Sequence, residues 1–193
     1  MSTITPDQFD EMRNAMVVSQ LRPDGVSDSR VIEAMGIVPR EDYVPADRRS
    51  TAYADRMIAL ADGRGINPPM VTGRLLTEAQ IGAGERVLIV GAASGYTAAV
   101  VARLTDSVAS VDAGAPVEGS YDVIMIDGAV EYVPDVLVGH LAPNGRLITG
   151  IVESGVTRLA IGRRGGSGFG LMTFMDAEMV VLPEFARPPA FVF

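Results

Sequence analysis

The sequence predicts an α/β protein: a mostly parallel sheet that ends in an antiparallel hairpin and carries an N-terminal helical extension. Three observations carry this. Arg86 to Tyr96 reads as strand, glycine turn and helix start, and the apolar run Thr97 to Leu104 continues it. Ser107 to Asp112 and Tyr121 to Asp127 are further strand-like runs, and helical patterns follow the central strand and Asp127, the alternation of a mostly parallel sheet. Last, Thr157 to Arg164 and Phe169 to Met175 flank Gly165-Gly-Ser-Gly168, which reads as a β-hairpin.

Taken in order, residues 7 to 20 form a helix, because Pro6-Asp7 supplies a start and Phe9, Met12, Met16 and Val17 recur at helical spacing. Arg22-Pro-Asp-Gly25 is a turn. Ser27-Asp28 caps a second helix whose face is Val31, Ile32, Met35 and Ile37, and Val38-Pro39 ends it. Glu41 to Pro45 is an extended link and Ala46 to Ala54 a short helix. Ile58 to Pro69, with its glycines, prolines and Asn67, is a structured loop rather than helix or strand. Met70 to Gln80 is a helix, and Ile81 to Glu85 turns into the central strand Val87 to Val90, apolar enough to be buried on both faces. Val133 to Leu141 is a helix, Pro143-Asn-Gly145 a turn and Arg146 to Val152 a strand. Residues 183 to 193 form a tail or edge strand with the apolar tip Phe191-Val-Phe193.

The whole chain, 1–193, reads as one domain, with 1–56 helical and 57–193 the sheet-bearing core. The hydrophobic fraction of 48% is ample for one core. No run reaches the roughly 20 apolar residues of a membrane helix, and the first ten residues lack a basic region and an apolar signal core, so the cytoplasm and no membrane partner are expected. The absence of Cys excludes disulfides and thiolate chemistry, and the single His140, which reads as a surface or helix-end residue, gives a histidine-built metal site or triad little to build with, so no metal is expected. The net charge of -8 argues against nucleic acid, whose backbone would repel the chain, and leaves Arg48-Arg49 and Arg163-Arg164 as solvated surface pairs.

The chemistry-bearing residues cluster where strands end. Gly91 closes the central strand and Ser94-Gly95 opens the helix, with Ala93 where a G-x-G pattern has its second glycine. The turn Gly91, Ala92, Ala93, Ser94, Gly95, Tyr96 lies where ligands bind in open α/β sheets. Asp112 follows it by about 20 residues, the position of a carboxylate that accepts from ribose hydroxyls; the plainer reading is a strand end or helix cap. Asp127 ends the third strand on the same edge and reads equally as a ligand-binding acid, a base or a cap. Asn67 is the notable polar residue outside the sheet, and a turn former on the plainer reading.

Several stretches resemble the protein-L-isoaspartate (D-aspartate) O-methyltransferase family. They are Met16-Val-Val-Ser-Gln-Leu-Arg-Pro-Asp-Gly-Val-Ser-Asp-Ser-Arg-Val-Ile-Glu-Ala-Met35, Val38-Pro-Arg-Glu-Asp-Tyr-Val-Pro45 and Ala52-Tyr-Ala-Asp55, then Val87 to Tyr96, Tyr121 to Asp127 and Leu141-Ala-Pro-Asn-Gly-Arg-Leu147. The ending Phe185-Ala-Arg-Pro-Pro-Ala-Phe-Val-Phe193 is similar to a bacterial subgroup. The resemblance implies a Rossmann-like S-adenosylmethionine-dependent methyltransferase fold, S-adenosyl-L-methionine as cofactor and isoaspartyl-containing proteins or peptides as substrate. It implies that Gly91 to Tyr96, Asp112 and Asp127 bind the cofactor and that Asn67 faces the acceptor carboxylate.

Three departures from the family pattern bear on that expectation. Asn67-Pro68-Pro69 stands where the family carries Ser-x-Pro, and an amide replaces a hydroxyl. Ile89 and Ala93 replace an acid and a glycine of the cofactor motif. Only residues 113 to 120 connect the second and third strands, where the family has a helix, a strand and an acidic motif of the adenine pocket. Eight extended residues reach at most about 26–29 Å, against a diagonal of roughly 20–22 Å back along one strand and past another. The connection therefore closes only without a helix, and the sheet loses an edge strand, together with an adenine wall that a neighbouring subunit or the C-terminal tail could replace. The newly exposed edge favours a homodimer. A second reading is a catalytically degenerate member serving as a non-enzymatic binding or assembly module; a third is a methyltransferase for a different small acid, using Asp127.

Overall fold

The computed structural model describes residues 4–60, 63–91, 93–166 and 168–187. Thr5 starts α1 (Pro6–Met16): its hydroxyl accepts from the Gln8 backbone N–H, and the Gln8 side-chain oxygen accepts from Thr5 N–H at 2.9 Å. The rod widens into a π turn at Val17–Leu21, so the helix expected over 7 to 20 is continuous. α2 (Ser29–Ile37) begins on the Asp28 carboxylate, which accepts from Arg30 N–H at 2.9 Å. Where an extended link was expected at 41 to 45, the chain makes a 3-10 turn, Arg40–Tyr43, and a second follows at Ala46–Thr51. The turn buries the adjacent side chains of Arg40 and Glu41 together, which an extended chain, alternating its side chains, does not do.

The loop 58 to 69 contains strands after all. β1 (Ile58–Ala59) and β2 (Gly65–Ile66) pair antiparallel, with Leu60 N–H donating to the Arg64 carbonyl at 2.8 Å. α3 (Pro69–Ala79) stops at Gln80, which takes the left-handed conformation. Then come β3 (Arg86–Val90) and α4 (Tyr96–Val101). α4 is shorter than the apolar run to Leu104, because Arg103 and Leu104 make tighter i→i−3 bonds to Val100 and Val101. The remaining elements are β4 (Ser107–Val111), β5 (Tyr121–Val130), α5 (Asp135–Gly139), β6 (Leu141–Glu153), β7 (Val156–Gly165) and β8 (Gly168–Asp176). The helix expected over 133 to 141 shrinks to α5 because Leu141 already pairs with Tyr121 as part of β6. His140 sits at the end of α5, its Nδ1–H donating to the Gly119 carbonyl at 2.7 Å.

The six strands lie in the order β4-β3-β5-β6-β7-β8, parallel through β6 and antiparallel thereafter. β4 is an edge strand, and the connection 113 to 120 crosses β3 without helix or strand, as its reach requires. The two faces of the sheet are covered unequally. Val87, Ile89, Val123, Met125 and Ile148 share one core with Met16, Leu21, Met35 and Leu75 of the helices. Leu88, Val90, Ile124, Ile126 and Leu147 face a thinner cover of Leu137, Leu182 and Phe185. Ile89 thus stands in the helix-covered core, where an acid would have had to be paired. No helix among the described residues is long and apolar enough to cross a membrane.

Candidate functional site

The strand order reverses between β3 and β5, since the chain leaves β3 for β4 on one side and returns as β5 on the other. A crevice outside the carboxyl ends of these strands is the favoured ligand position in such a sheet. Gly91 ends β3 at φ +82°, a conformation only glycine adopts without strain, and its N–H donates to the Val111 carbonyl at 2.9 Å. β3 follows β5 only as far as Ile126. Beyond it β5 continues to Val130, three residues further than expected. Its pairing with β6 slips between Met125 and Ala129, an irregularity that sets Asp127 and Gly128 at the mouth of the crevice.

A polar cluster lies beneath that mouth. The Asn67 amide nitrogen donates to Asp127 Oδ1 at 2.9 Å and to the Asp127 carbonyl at 3.2 Å, and Asn67 Oδ1 accepts from Val180 N–H at 2.9 Å. Asn67 is only 2% exposed, so its amide is consumed inside the protein and does not present a donor to an acceptor, contrary to the sequence expectation. Arg40, fully buried, donates from Nη2 to the Asn67 carbonyl at 2.7 Å and from Nε to the Ala52 carbonyl at 2.8 Å, and lies 4.7 Å over the Tyr96 ring. Burial pushes the Asp127 carboxyl above its ordinary range, while the Thr97 hydroxyl, the Asn67 amide and the Arg40 charge pull the other way. Burial likewise lowers Arg40, opposed by Tyr96 and Asp127.

The mouth itself is spanned by the segment after β8. Val180 and Leu182 straddle Ala129: its N–H donates to the Val180 carbonyl at 2.6 Å and its carbonyl accepts from Leu182 N–H at 2.9 Å. Glu131 N–H donates to the Phe185 carbonyl at 3.2 Å. The Leu182 side chain drops between Gly91 and Gly128. A Cβ on Gly128 would stand 2.4 Å from Leu182 Cγ, and one on Gly91 3.1 Å from Leu182 Cδ1. Beside this strap lies a cavity of about 320 Å³, lined by Gly91, Ala93, Asp112 and Ala113 on the sheet side, by the loop 63–65, and by 180–184. Asp112, just after β4, is largely exposed there, with Arg64 Nη1 3.5 Å from its carboxylate.

Of the residues expected at the cofactor turn, Gly91, Ala93 and Asp112 therefore share one cavity. Ser94 and Gly95 flank it without lining it: the Ser94 hydroxyl accepts from Tyr96 N–H at 3.3 Å, and Gly95, at φ +79°, is the helix cap. Tyr96 turns away, fully buried edge-on against Tyr43 with ring centroids 5.7 Å apart, so it packs the helical layer rather than a ligand. Ala92 lies outside the described residues, as does the tip 191 to 193. The sequence reading missed Arg40, Thr97 and the strap. Arg40 stood within the resembling stretch Val38 to Pro45, and the strap's signal was the apolar run Met179-Val-Val-Leu182 before Pro183.

A parallel sheet with an antiparallel end, a glycine turn after its central strand and an acid after the next define a Rossmann-like S-adenosylmethionine-dependent methyltransferase fold. The family described as protein-L-isoaspartate(D-aspartate) O-methyltransferase matches residues 12–113, and the chain belongs to it. A protein-L-isoaspartate O-methyltransferase of Bradyrhizobium sp. strain ORS 278 is 35% identical over 86% of this chain and 92% of that protein. One from Methylorubrum extorquens strain PA1 is 31% identical, covering 92% and 90%. The fold also matches a Plasmodium falciparum structure described as a protein-L-isoaspartate O-methyltransferase in complex with S-adenosyl-L-homocysteine. The TM-score is 0.74 at 19% identity, over 89% of this chain and 98% of that one.

Proposed function

We propose that this chain transfers a methyl group from S-adenosyl-L-methionine to the free carboxylate of isoaspartyl residues in proteins. The observation that carries the reading is the convergence of Gly91, Ala93 and Asp112 on one cavity at the strand-order reversal, in a chain of this family. The residues fit the cofactor: Gly91 makes the tight turn at the end of β3 with a φ that suits only glycine, and Asp112 offers exposed acceptor oxygens to ribose hydroxyls. The donor, when bound, supplies a sulfonium-activated methyl group. An acceptor carboxylate is ionised near neutral pH, so the protein has mainly to hold the two in line. In this reading Asp112 binds the ribose, and Asn67 is a positioning residue that fixes Asp127 and the strap. Asp127, expected to bind the cofactor, is instead tied to Asn67 below the cavity and is not among the residues that line it.

Calorimetric titration with S-adenosylhomocysteine, followed by radiolabelled methyl transfer to an isoaspartyl peptide, tests the reading. Binding and transfer are expected. No binding at millimolar ligand removes it in favour of a non-catalytic module, and binding without transfer points to another acceptor.

Other features support further readings. The core shared by helices and sheet supports 1–193 as one domain. The outer edge of β4, which no strand among the described residues covers, supports a homodimer, which sedimentation showing only monomer at micromolar concentration would remove.

A further inference from the structure

A nucleoside needs a wall on each side of its base. The crossover after β4 supplies only Asp112 and Ala113 to the cavity lining, and its remaining residues form neither helix nor strand. The facing wall comes instead from the far end of the chain, Val180 to Glu184. Backbone bonds to Ala129 and the Asn67–Val180 bond hold this strap in place. Val181 lines the cavity with its apolar side chain 49% exposed, a surface that a flat apolar ring would cover. Glu184 Cβ and Cγ lie 3.7 Å from the Cβ position of Gly114, so its stem stands over the start of the crossover, beyond Asp112. Among the described residues, the charged side chains that line the cavity are Arg64, Asp112 and Glu184. Arg64 Nη1 lies 3.5 Å from the Asp112 carboxylate, and Glu184 is a second acid of the lining.

We propose that the strap is the second wall of the nucleoside pocket and that the Glu184 carboxylate accepts a hydrogen bond from the exocyclic amino group of adenine. The proposal rests on the reading of S-adenosyl-L-methionine as donor. A carboxylate has acceptors and no donor, so it favours adenine, which offers an N–H₂ there, over hypoxanthine, which offers a carbonyl oxygen. Leu182, wedged between Gly91 and Gly128, fixes the height of the wall.

The test is calorimetric titration of the full chain with S-adenosylhomocysteine and with S-inosylhomocysteine, for the unaltered protein and for Glu184→Ala. Glu184 is exposed, so the variant is expected to fold, with an equal melting temperature as the check. The unaltered protein is expected to bind the adenosyl compound roughly tenfold or more tighter than the inosyl one. In Glu184→Ala the adenosyl affinity falls by a similar factor and the preference shrinks toward one. If the unaltered protein binds S-adenosylhomocysteine and Glu184→Ala keeps both its affinity and its base preference, the Glu184 assignment falls while the donor reading stands. If the unaltered protein binds neither compound, both fall.

Discussion

Asn67 and Asp127, sixty positions apart, meet side chain to side chain at 2.9 Å, and the other end of the same amide holds the backbone of Val180. One side chain thus ties three regions: the loop before α3, the end of β5 and the strap. Arg40 anchors the loop from below through the Asn67 carbonyl.

Replacing Asn67 by Ala strands a buried carboxyl oxygen and a backbone N–H. An unsatisfied buried group costs about 1–3 kcal/mol, so the protein should lose stability on that order. Asn67→Ser should lie between, since one short hydroxyl does not reach both partners. Urea denaturation measures this; an Asn67→Ala protein as stable as the original would show that the amide ties nothing together.

Asp127→Asn should raise stability at neutral pH. The carboxyl is held above its ordinary 3.8 by burial, so its ionised form is disfavoured in the folded state. As pH falls through the raised value, the folded protein takes up a proton before the unfolded chain does, and its stability rises relative to the variant. The advantage of Asp127→Asn should therefore be largest near pH 7 and shrink as pH falls toward the ordinary carboxylate range. Melting temperatures of both proteins across that span give the comparison. An advantage that grows with acidity would reverse the sign of the shift.

Gly128→Ala should drive Leu182 out of the crevice, because the new methyl would lie 2.4 Å from Leu182 Cγ. Gly128, unlike Gly91, is not at a positive φ, so the effect is one of space alone. Overpacking of this kind costs about 1–3 kcal/mol. Leu182→Ala alone loses a buried side chain, at about 2–5 kcal/mol. The double variant should cost clearly less than the sum, since the smaller residue makes room for the larger. Additive losses in denaturant titrations would mean that the two side chains do not share one space.

Much of the architecture was legible in the residues. Val87 to Val90 announced a strand buried on both faces, and the eight residues from 113 to 120 dictated an extended crossover and the exposed β4 by reach alone. The site was less so. Glycine spacing located Gly91 and Asp112, whose positions follow from local chain geometry. Tyr96 looked like part of the same motif, yet its direction depends on Tyr43 and Arg40 packing against it from the N-terminal helices. Asn67 read as a donor for a ligand because nothing nearby in sequence revealed Asp127 and Val180 as its partners. The strands of 58 to 66 are two residues each, below what any periodicity discloses.

The strap also bears on the order in which this molecule takes shape. Its bonds to Ala129 and Glu131 join segments some fifty residues apart, and contacts of such separation pay their loop-closure entropy late in folding. The ligand pocket is then finished after the sheet that underlies it, and local opening should release it first. Amide exchange should report this directly: Leu182 and Phe185 exchange well before the β3 and β5 amides, and slow when S-adenosylhomocysteine is added. Equal exchange of strap and central strands would show instead that pocket and sheet open as one unit.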